Sequence, residues 1–375
     1  MRVSARWRLV AFATTAAVLG GCGRGSAHAP APSSLPALSP AQLAGQRVIY
    51  SYQGLTPPAG LLDLIRHGEA AGVIFFGGNI ASTAQIAGVI SELDRANASP
   101  GNPLRALPLL LMTDQEGGAV RRLPGAPLLS EKQIGASADP RAEATNAGTG
   151  AGQTLAGVGM NVNLAPVLDV YRAPGDFDDQ FGRSYSGDPG MVSALGADFI
   201  TAQQAAGVAA TAKHFPGLGA ASSAQNTDEQ PVTLHVSRDD LRSIDERPFQ
   251  AAITSGVKLV MMSWAVYPAL DPRWPAGLSP AIIGGELRQR LGFAGVTITD
   301  ALEAGALQAF GTTGQRATLA ARAGMDLILC SGQDLDEGEQ ARLALQDGLR
   351  SGTLNRAAFT AAVQRIVSLR SSLRS

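Results

Sequence analysis

Short apolar runs recur eight times along the chain, and a helix-like stretch follows almost every one. They are "RVIYS" (47–51), "GVIFFGG" (72–78), "PLLLMTDQEGG" (108–118), "MNVNLAPVLDV" (160–170), "GVAATAKHF" (207–215), "GVKLVMMSW" (256–264), "GVTITDAL" (295–302) and "GMDLILCSG" (324–332). Their apolar residues run on without polar alternation, which suits strands buried on both faces of a parallel sheet. Segments such as "RDDLRSIDERPFQAAITSG" (238–256) and "PAIIGGELRQRLGF" (280–293) read as amphipathic helices between them. Glycine before a strand is the expected end of the preceding helix. Eight strand–helix units predict an α/β fold, a (β/α)8 TIM-type barrel in a single domain. A doubly wound open sheet is the rival, but it would want a glycine-rich phosphate loop after a strand. "GTTGQRA" follows none in that way. A last helix is expected over 354–373.

The barrel accounts for residues 40–375; the residues before it have a different logic. Arg2, Arg6 and Arg8 precede an apolar run from Leu9 to Leu19, which ends in "LGGC". A basic start, a short apolar middle and small residues predict a lipoprotein signal peptide over 1–21. The run is too short for a comfortable membrane span. Leu-Gly-Gly-Cys resembles a bacterial lipobox, which makes Cys22 the expected lipid-modified residue and the membrane its partner. An ordinary signal peptide cleaved nearby is the alternative. Residues 22–39 are Gly, Ala, Pro and Ser with little charge and read as a flexible linker. The expected location is the cell envelope, on the extracytoplasmic face of the membrane.

Composition matters mainly for what it excludes. A net charge of −1 gives no basic excess for nucleic acid. Two cysteines, Cys22 and Cys330, allow neither a disulfide framework nor a familiar cysteine metal site. Four histidines (His28, His67, His214 and His235) are too scattered for a zinc site. No G-x-S-x-G elbow is present. No metal or organic cofactor is implied.

A barrel puts its chemistry just past the C-terminal ends of the strands. Asp114 and Glu116 follow the third run, Asp169 the fourth, and Lys213 and His214 the fifth. Ser263 and Trp264 follow the sixth, and Asp300 and Glu303 the seventh. Asp300 can cap the next helix or serve as a carboxylate nucleophile. Lys213 can form a Schiff base or hydrogen-bond sugar hydroxyls as a fixed cation. Strand neighbours point to opposite faces, so Lys213 and His214 can share a pocket only if the strand has already ended. The Pro216-Gly217 break fits that expectation.

"KHFPGLG", "TDQEGGAVRRLP", "NVNLAPVLDV", "GRSYSGDP" and "TDALEAGAL" together resemble a family 3 glycoside hydrolase of the single-barrel β-N-acetylhexosaminidase type. The resemblance runs from about residue 40 to the C-terminus. It implies that Asp300 is the nucleophile, forming a covalent glycosyl–enzyme intermediate with retention. Asp114 would bind sugar hydroxyls, and Arg122, eight positions later, would be the motif's substrate-binding arginine. Arg183 matches another sugar-contacting arginine. Lys213 and His214 match the pair that holds the sugar. Glu116 and Asp169 would brace loops.

One motif departs from the family. Its general acid/base is usually a histidine in an Asp-Ser-His stretch after Lys-His-Phe-Pro-Gly. Here the stretch reads "GLGAASSAQNTDEQPVT" and holds no histidine. With two extra loop residues Asn226-Thr227-Asp228 aligns there, and Asp228 becomes the acid/base. Glu229 next door could act instead, or Asn226-Thr227-Asp228 could form only an Asx-type turn. His235 reads as a surface residue. An ordinary Asp, with pKa ~3.9, is a poor acid at neutral pH unless its surroundings raise that value.

The expected activity is removal of terminal β-linked N-acetylhexosamine from cell-wall or chitin-like oligosaccharides, by a monomer. The alternatives are a β-glucosidase, β-xylosidase or phosphorylase of the same family, and a catalytically impaired sugar-binding lipoprotein.

Overall fold

The computed structural model describes residues 36–373. The signal peptide, Cys22 and most of the linker lie outside the described residues. Every apolar run contributes one barrel strand, shorter than the run itself: β1 Val48–Tyr50, β2 Gly72–Ile74, β3 Leu110–Thr113, β4 Val162–Asn163, β5 Ala209–Phe215, β6 Leu259–Met262, β7 Val296–Thr299 and β8 Ile328–Leu329. All pairings among them are parallel, in the order β7-β6-β5-β4-β3-β2-β1-β8. A parallel bridge from Ile298 to Leu327, one residue ahead of β8, closes the ring. This is the (β/α)8 barrel that the eight repeats predict.

Helices α1 (Ala59–Arg66), α2 (Thr83–Asn97), α3 (Pro140–Ala156), α4 (Pro189–Ala205), α5 (Glu246–Thr254), α6 (Ala281–Arg290), α7 (Thr313–Ala323) and α8 (Leu335–Ser351) follow the strands in turn. Their starts are written locally. The side chains of Ser82, Asp139, Asp188, Thr312 and Asp334 accept backbone N–H groups at the first turns of α2, α3, α4, α7 and α8. Gly207 and Gly324 sit left-handed between helix and strand, with φ of 87° and 110°. Gly72 has another reason to be glycine. It lies inside β2, where any Cβ would collide with the Leu110 carbonyl of β3.

Alternation along each strand sorts the core into two layers. Ile49, Ile74, Leu110, Met112, Val162, Ala209, Leu259, Met261 and Ile298 fill the barrel interior. Val48, Tyr50, Val73, Leu111, Ala210 and Val260 face the helices instead. The C-terminal helix, Arg356–Ser372, crosses the end where the strands begin. Its Ile366 and Leu369 plug the interior layer. Its Arg370 donates to the carbonyls of Pro108 at 2.7 Å and Leu107 at 3.2 Å, just before β3. Arg365 pairs with buried Asp326, just before β8, at 2.7 Å. That end is sealed, so an open site can form only where the strands finish.

Candidate active site

At the finishing end lies a cavity of about 520 Å³. Asp114, Glu116, Arg122, Arg183, Lys213, His214, Asp228, Asp300 and Glu303 all line it. The expected nucleophile, acid/base and sugar-binding residues therefore open into one space, whereas Asp169 lies beneath it. Ser263 and Trp264 do not line it. Trp264 is buried, and its indole N–H donates to the Ala301 carbonyl at 2.8 Å, bracing the turn that carries Asp300.

The loop after β3 is held by one residue. The Gln115 side chain accepts from the Arg122 and Leu123 N–H groups, both at 3.0 Å, and donates to the Leu123 and Ala126 carbonyls. This folds the chain back as a short hairpin, Gln115–Gly117 against Val120–Arg121. The turn leaves Gly117 at φ 122°, with no room for a Cβ beside the Leu129 carbonyl. Arg122 is thereby aimed into the cavity. Its buried Nε finds no acceptor among the described residues, which is costly unless a ligand supplies one.

Lys213 sits between two carboxylates, with Nζ 2.8 Å from Asp114 Oδ1 and 2.7 Å from Glu116 Oε1. Arg183 grips Glu116 with two bonds, 2.9 and 3.0 Å, and reaches Asp178 at 2.9 Å. Burial opposes charge on Glu116, but Arg183 and Lys213 outweigh it and hold the carboxyl down at about 2. Burial likewise opposes charge on Lys213, and Asp114 and Glu116 outweigh it, so its pKa rises above 10.5. Less than ~10⁻³ of the amine is then neutral at pH 7. A Schiff base needs the neutral amine, so Lys213 acts here as a fixed cation.

Lys213 and His214 share the cavity for a reason other than the expected one. The strand does not end before them; β5 runs to Phe215. Its pairing with β6 slips between Ala212 and Phe215, which face Val260 and Met262. Two residues thus stand opposite one, a bulge that breaks the alternation. The intervening peptide bond is cis. Beneath the pair, buried Asp169 accepts His214 Nδ1 at 2.7 Å and the Leu218 N–H at 2.5 Å. Burial works against the imidazolium, yet Asp169 outweighs it and raises His214 above 6.5. The ring is fixed through Nδ1, with Nε2 left free for a ligand. Asp178, absent from the sequence reading, backs the same cluster. Burial pushes its carboxyl up to about 7, against Arg183 and aided by Asp169.

Asp300 Oδ1 accepts the Ala301 N–H at 2.8 Å, and no other protein donor reaches this carboxylate among the described residues. It does not cap a regular α-helix, since a short 3₁₀ turn, Gly305–Phe310, comes next. Asn226, Thr227 and Asp228 line the same cavity, while Glu229 does not; Asp228 and Glu229 are both exposed. The Asx-type turn is present as well, with the Asp228 N–H bound to Asn226 Oδ1 at 3.0 Å. The turn and the cavity position coexist. The loop is latched shut against the Asp300 segment: Gly305 N–H donates to the Asp228 carbonyl at 2.7 Å and Ala306 N–H to Thr227 at 3.0 Å. Only glycine fits at 305, where a Cβ would collide with the Glu229 backbone. Desolvation by the surrounding cavity walls, then the Asp300 carboxylate, push the Asp228 carboxyl up to about 6, although the residue stands exposed at the rim. His214 and Arg183 oppose that rise, and Glu303 adds to it. His235 is exposed and does not line the cavity.

Known proteins resemble this chain in sequence and in fold. A protein of Arthroderma benhamiae described as an uncharacterized secreted glycosyl hydrolase is 46% identical over 330 residues, 88% of this chain and 93% of that protein. The structure of a glycoside hydrolase family 3 β-N-acetylglucosaminidase from a Paenibacillus species superposes with a TM-score of 0.84 at 35% identity, covering 90% of this chain. This chain spans 63% of that longer protein. A β-N-acetylhexosaminidase from Beutenbergia cavernae superposes at 0.79 with 32% identity, covering 89% of this chain and 99% of that one. The model of the glycosyl hydrolase family 3 N-terminal domain matches residues 48–369. With that match spanning the whole barrel, the chain belongs to glycosyl hydrolase family 3.

Proposed function

We propose that this glycosidase removes terminal β-linked N-acetylhexosamine from cell-wall or chitin-like oligosaccharides, with retention, through a glycosyl–Asp300 intermediate. The observation that carries the reading is the placement of Asp300 and Asp228 in one cavity with five groups suited to sugar hydroxyls. Asp114 Oδ2, the third Lys213 N–H, His214 Nε2, and Arg122 and Arg183 fix the terminal ring. Asp300 attacks the anomeric carbon as the glycosidic bond breaks. Asp228 gives its proton to the departing oxygen. It then takes one from water, which releases the sugar from Asp300. At pH 7 a carboxyl near 6 is ~10% protonated, against ~0.1% for an ordinary Asp, which is why the raised value matters. That rise favours turnover over mere sugar binding.

The test is a panel of p-nitrophenyl β-GlcNAc, β-glucoside and β-xyloside, with and without phosphate. kcat/KM for the GlcNAc substrate is expected to exceed the others by ~10²-fold, with no acceleration by phosphate. A preference for the glucoside or xyloside, or release of a sugar phosphate, would overturn the substrate assignment.

We further propose that the protein works outside the cytoplasm, tethered through lipid on Cys22. The basic, apolar, Leu-Gly-Gly-Cys start supports this, as does a relative described as secreted. No helix of the described residues is long and apolar enough to cross a membrane. Labelling with a fatty-acid analogue should mark the wild type and not Cys22→Ser. Equal labelling of both would contradict the anchor.

A further inference from the structure

The loop between β4 and α4 holds a short helix, Phe177–Gln180, with Phe181 at its end. Phe181 is 54% exposed, a bare ring on a wet surface, and it lines the same cavity as Asp300. Phe177 supports it edge-on, with ring centres 5.6 Å apart and planes at 79°. The segment is anchored rather than loose. Asp178 holds Arg183 at 2.9 Å, and Asp179 takes Lys132 at 2.8 Å and the Gly175 N–H at 2.7 Å. Both carboxylates are buried. Two hydrogen bonds then tie the segment to the loop that carries Asp228. Phe177 N–H donates to the Ala221 carbonyl and the Gln180 amide to the Ser223 carbonyl, each at 2.9 Å.

The acid stands on the side from which the leaving group departs, because it must protonate the bridging oxygen. The segment that carries Phe181 is bound to the acid's own loop through Phe177 and Gln180, which puts the ring on that side. Pyranose rings carry a face of C–H groups that packs well on an aromatic ring. The cavity, about 520 Å³, is within the range that encloses a ligand of two rings. We propose that Phe181, backed by Phe177, is the platform for the leaving-group sugar, and that the enzyme thereby selects oligosaccharides over simple glycosides. This rests on the glycosidase reading above.

The test compares two substrates with the same reacting sugar. Di-N-acetylchitobiose carries a leaving-group pyranose, and β-GlcNAc fluoride carries none. The ratio of their kcat/KM values should fall about tenfold in Phe181→Ala, the size of one aromatic contact, and be restored in Phe181→Tyr. An unchanged ratio would overturn the platform. A wild type that cleaves neither substrate would instead overturn the glycosidase reading. In that case the Kd for di-N-acetylchitobiose decides the platform. A tenfold rise in Phe181→Ala supports it, and equal values overturn it.

Discussion

Asp300→Ala is expected to lower kcat/KM on p-nitrophenyl β-GlcNAc by ~10⁴-fold or more, the scale of losing a covalent nucleophile. The loss should fall on kcat, since Asp114, Arg122, Arg183, Lys213 and His214 still hold the ring. The carboxylate's bonding explains why the effect should be so large. Among the described residues its one hydrogen bond is to the next residue's N–H, so an oxygen is kept for chemistry rather than structure. Little should unfold, because Trp264 holds the turn through the Ala301 carbonyl and not through Asp300. Added azide makes the result specific. In Asp300→Ala it can enter the vacated space and displace the p-nitrophenolate from the α face, giving the α-glycosyl azide. Circular dichroism and thermal melting check the fold. A variant with more than a tenth of wild-type activity would remove Asp300 from the mechanism.

Asp228→Ala carries the second-largest effect and the clearest pH signature. A general acid contributes ~10²–10⁴-fold, and that loss is expected on di-N-acetylchitobiose, whose leaving oxygen is poor. On p-nitrophenyl β-GlcNAc the first step needs little protonation, so the loss there should be much smaller. The sign of the pH effect follows from the role. The group must hold its proton to act, and with a pKa of about 6 the protonated fraction falls tenfold for each unit above that. Wild-type kcat/KM on di-N-acetylchitobiose should therefore fall on the alkaline side of about pH 6. The same limb should vanish in Asp228→Ala. Steady-state profiles from pH 4 to 9 read this directly. An alkaline limb unchanged by the substitution would assign the acid to another group, with Glu303 the next carboxyl in the cavity.

The barrel was legible because each β-run is buried on both faces, and such runs carry no competing pattern. Their ends were less legible. "MNVNLAPVLDV" yields only Val162–Asn163 as continuous strand, because Pro166 has no N–H for the ladder and pairing with β5 resumes only as a bridge from Val167 to Lys213. The polar residues at strand ends pointed to the end of the barrel where the cavity lies, since a barrel concentrates its chemistry there. The sharing of one cavity by Lys213 and His214 was foreseen for the wrong reason. A bulge depends on the register of β6, 46 residues beyond His214 at Val260, and no local pattern encodes it. Asp178 and Phe181 were missed for a related reason. They sit in "DFDDQF", a loop without periodicity, where three acids look like a solvated turn. Only folding shows that Asp178 and Asp179 are buried while a phenyl ring is left out. The two phenylalanines in so acidic a stretch were the available signal. Gly305 could not be read as a latch, because the backbone it meets is Glu229, on another loop.

Trapping the intermediate tests the central claim most directly. A 5-fluoro-β-GlcNAc fluoride forms a glycosyl–enzyme slowly and releases it more slowly still. Mass spectrometry of the intact protein should show one added fluorosugar, and the digested protein should carry it on the peptide containing Asp300, at that carboxylate. A label on any other residue, or turnover of the reagent to an α-configured sugar without a covalent adduct, would contradict the account.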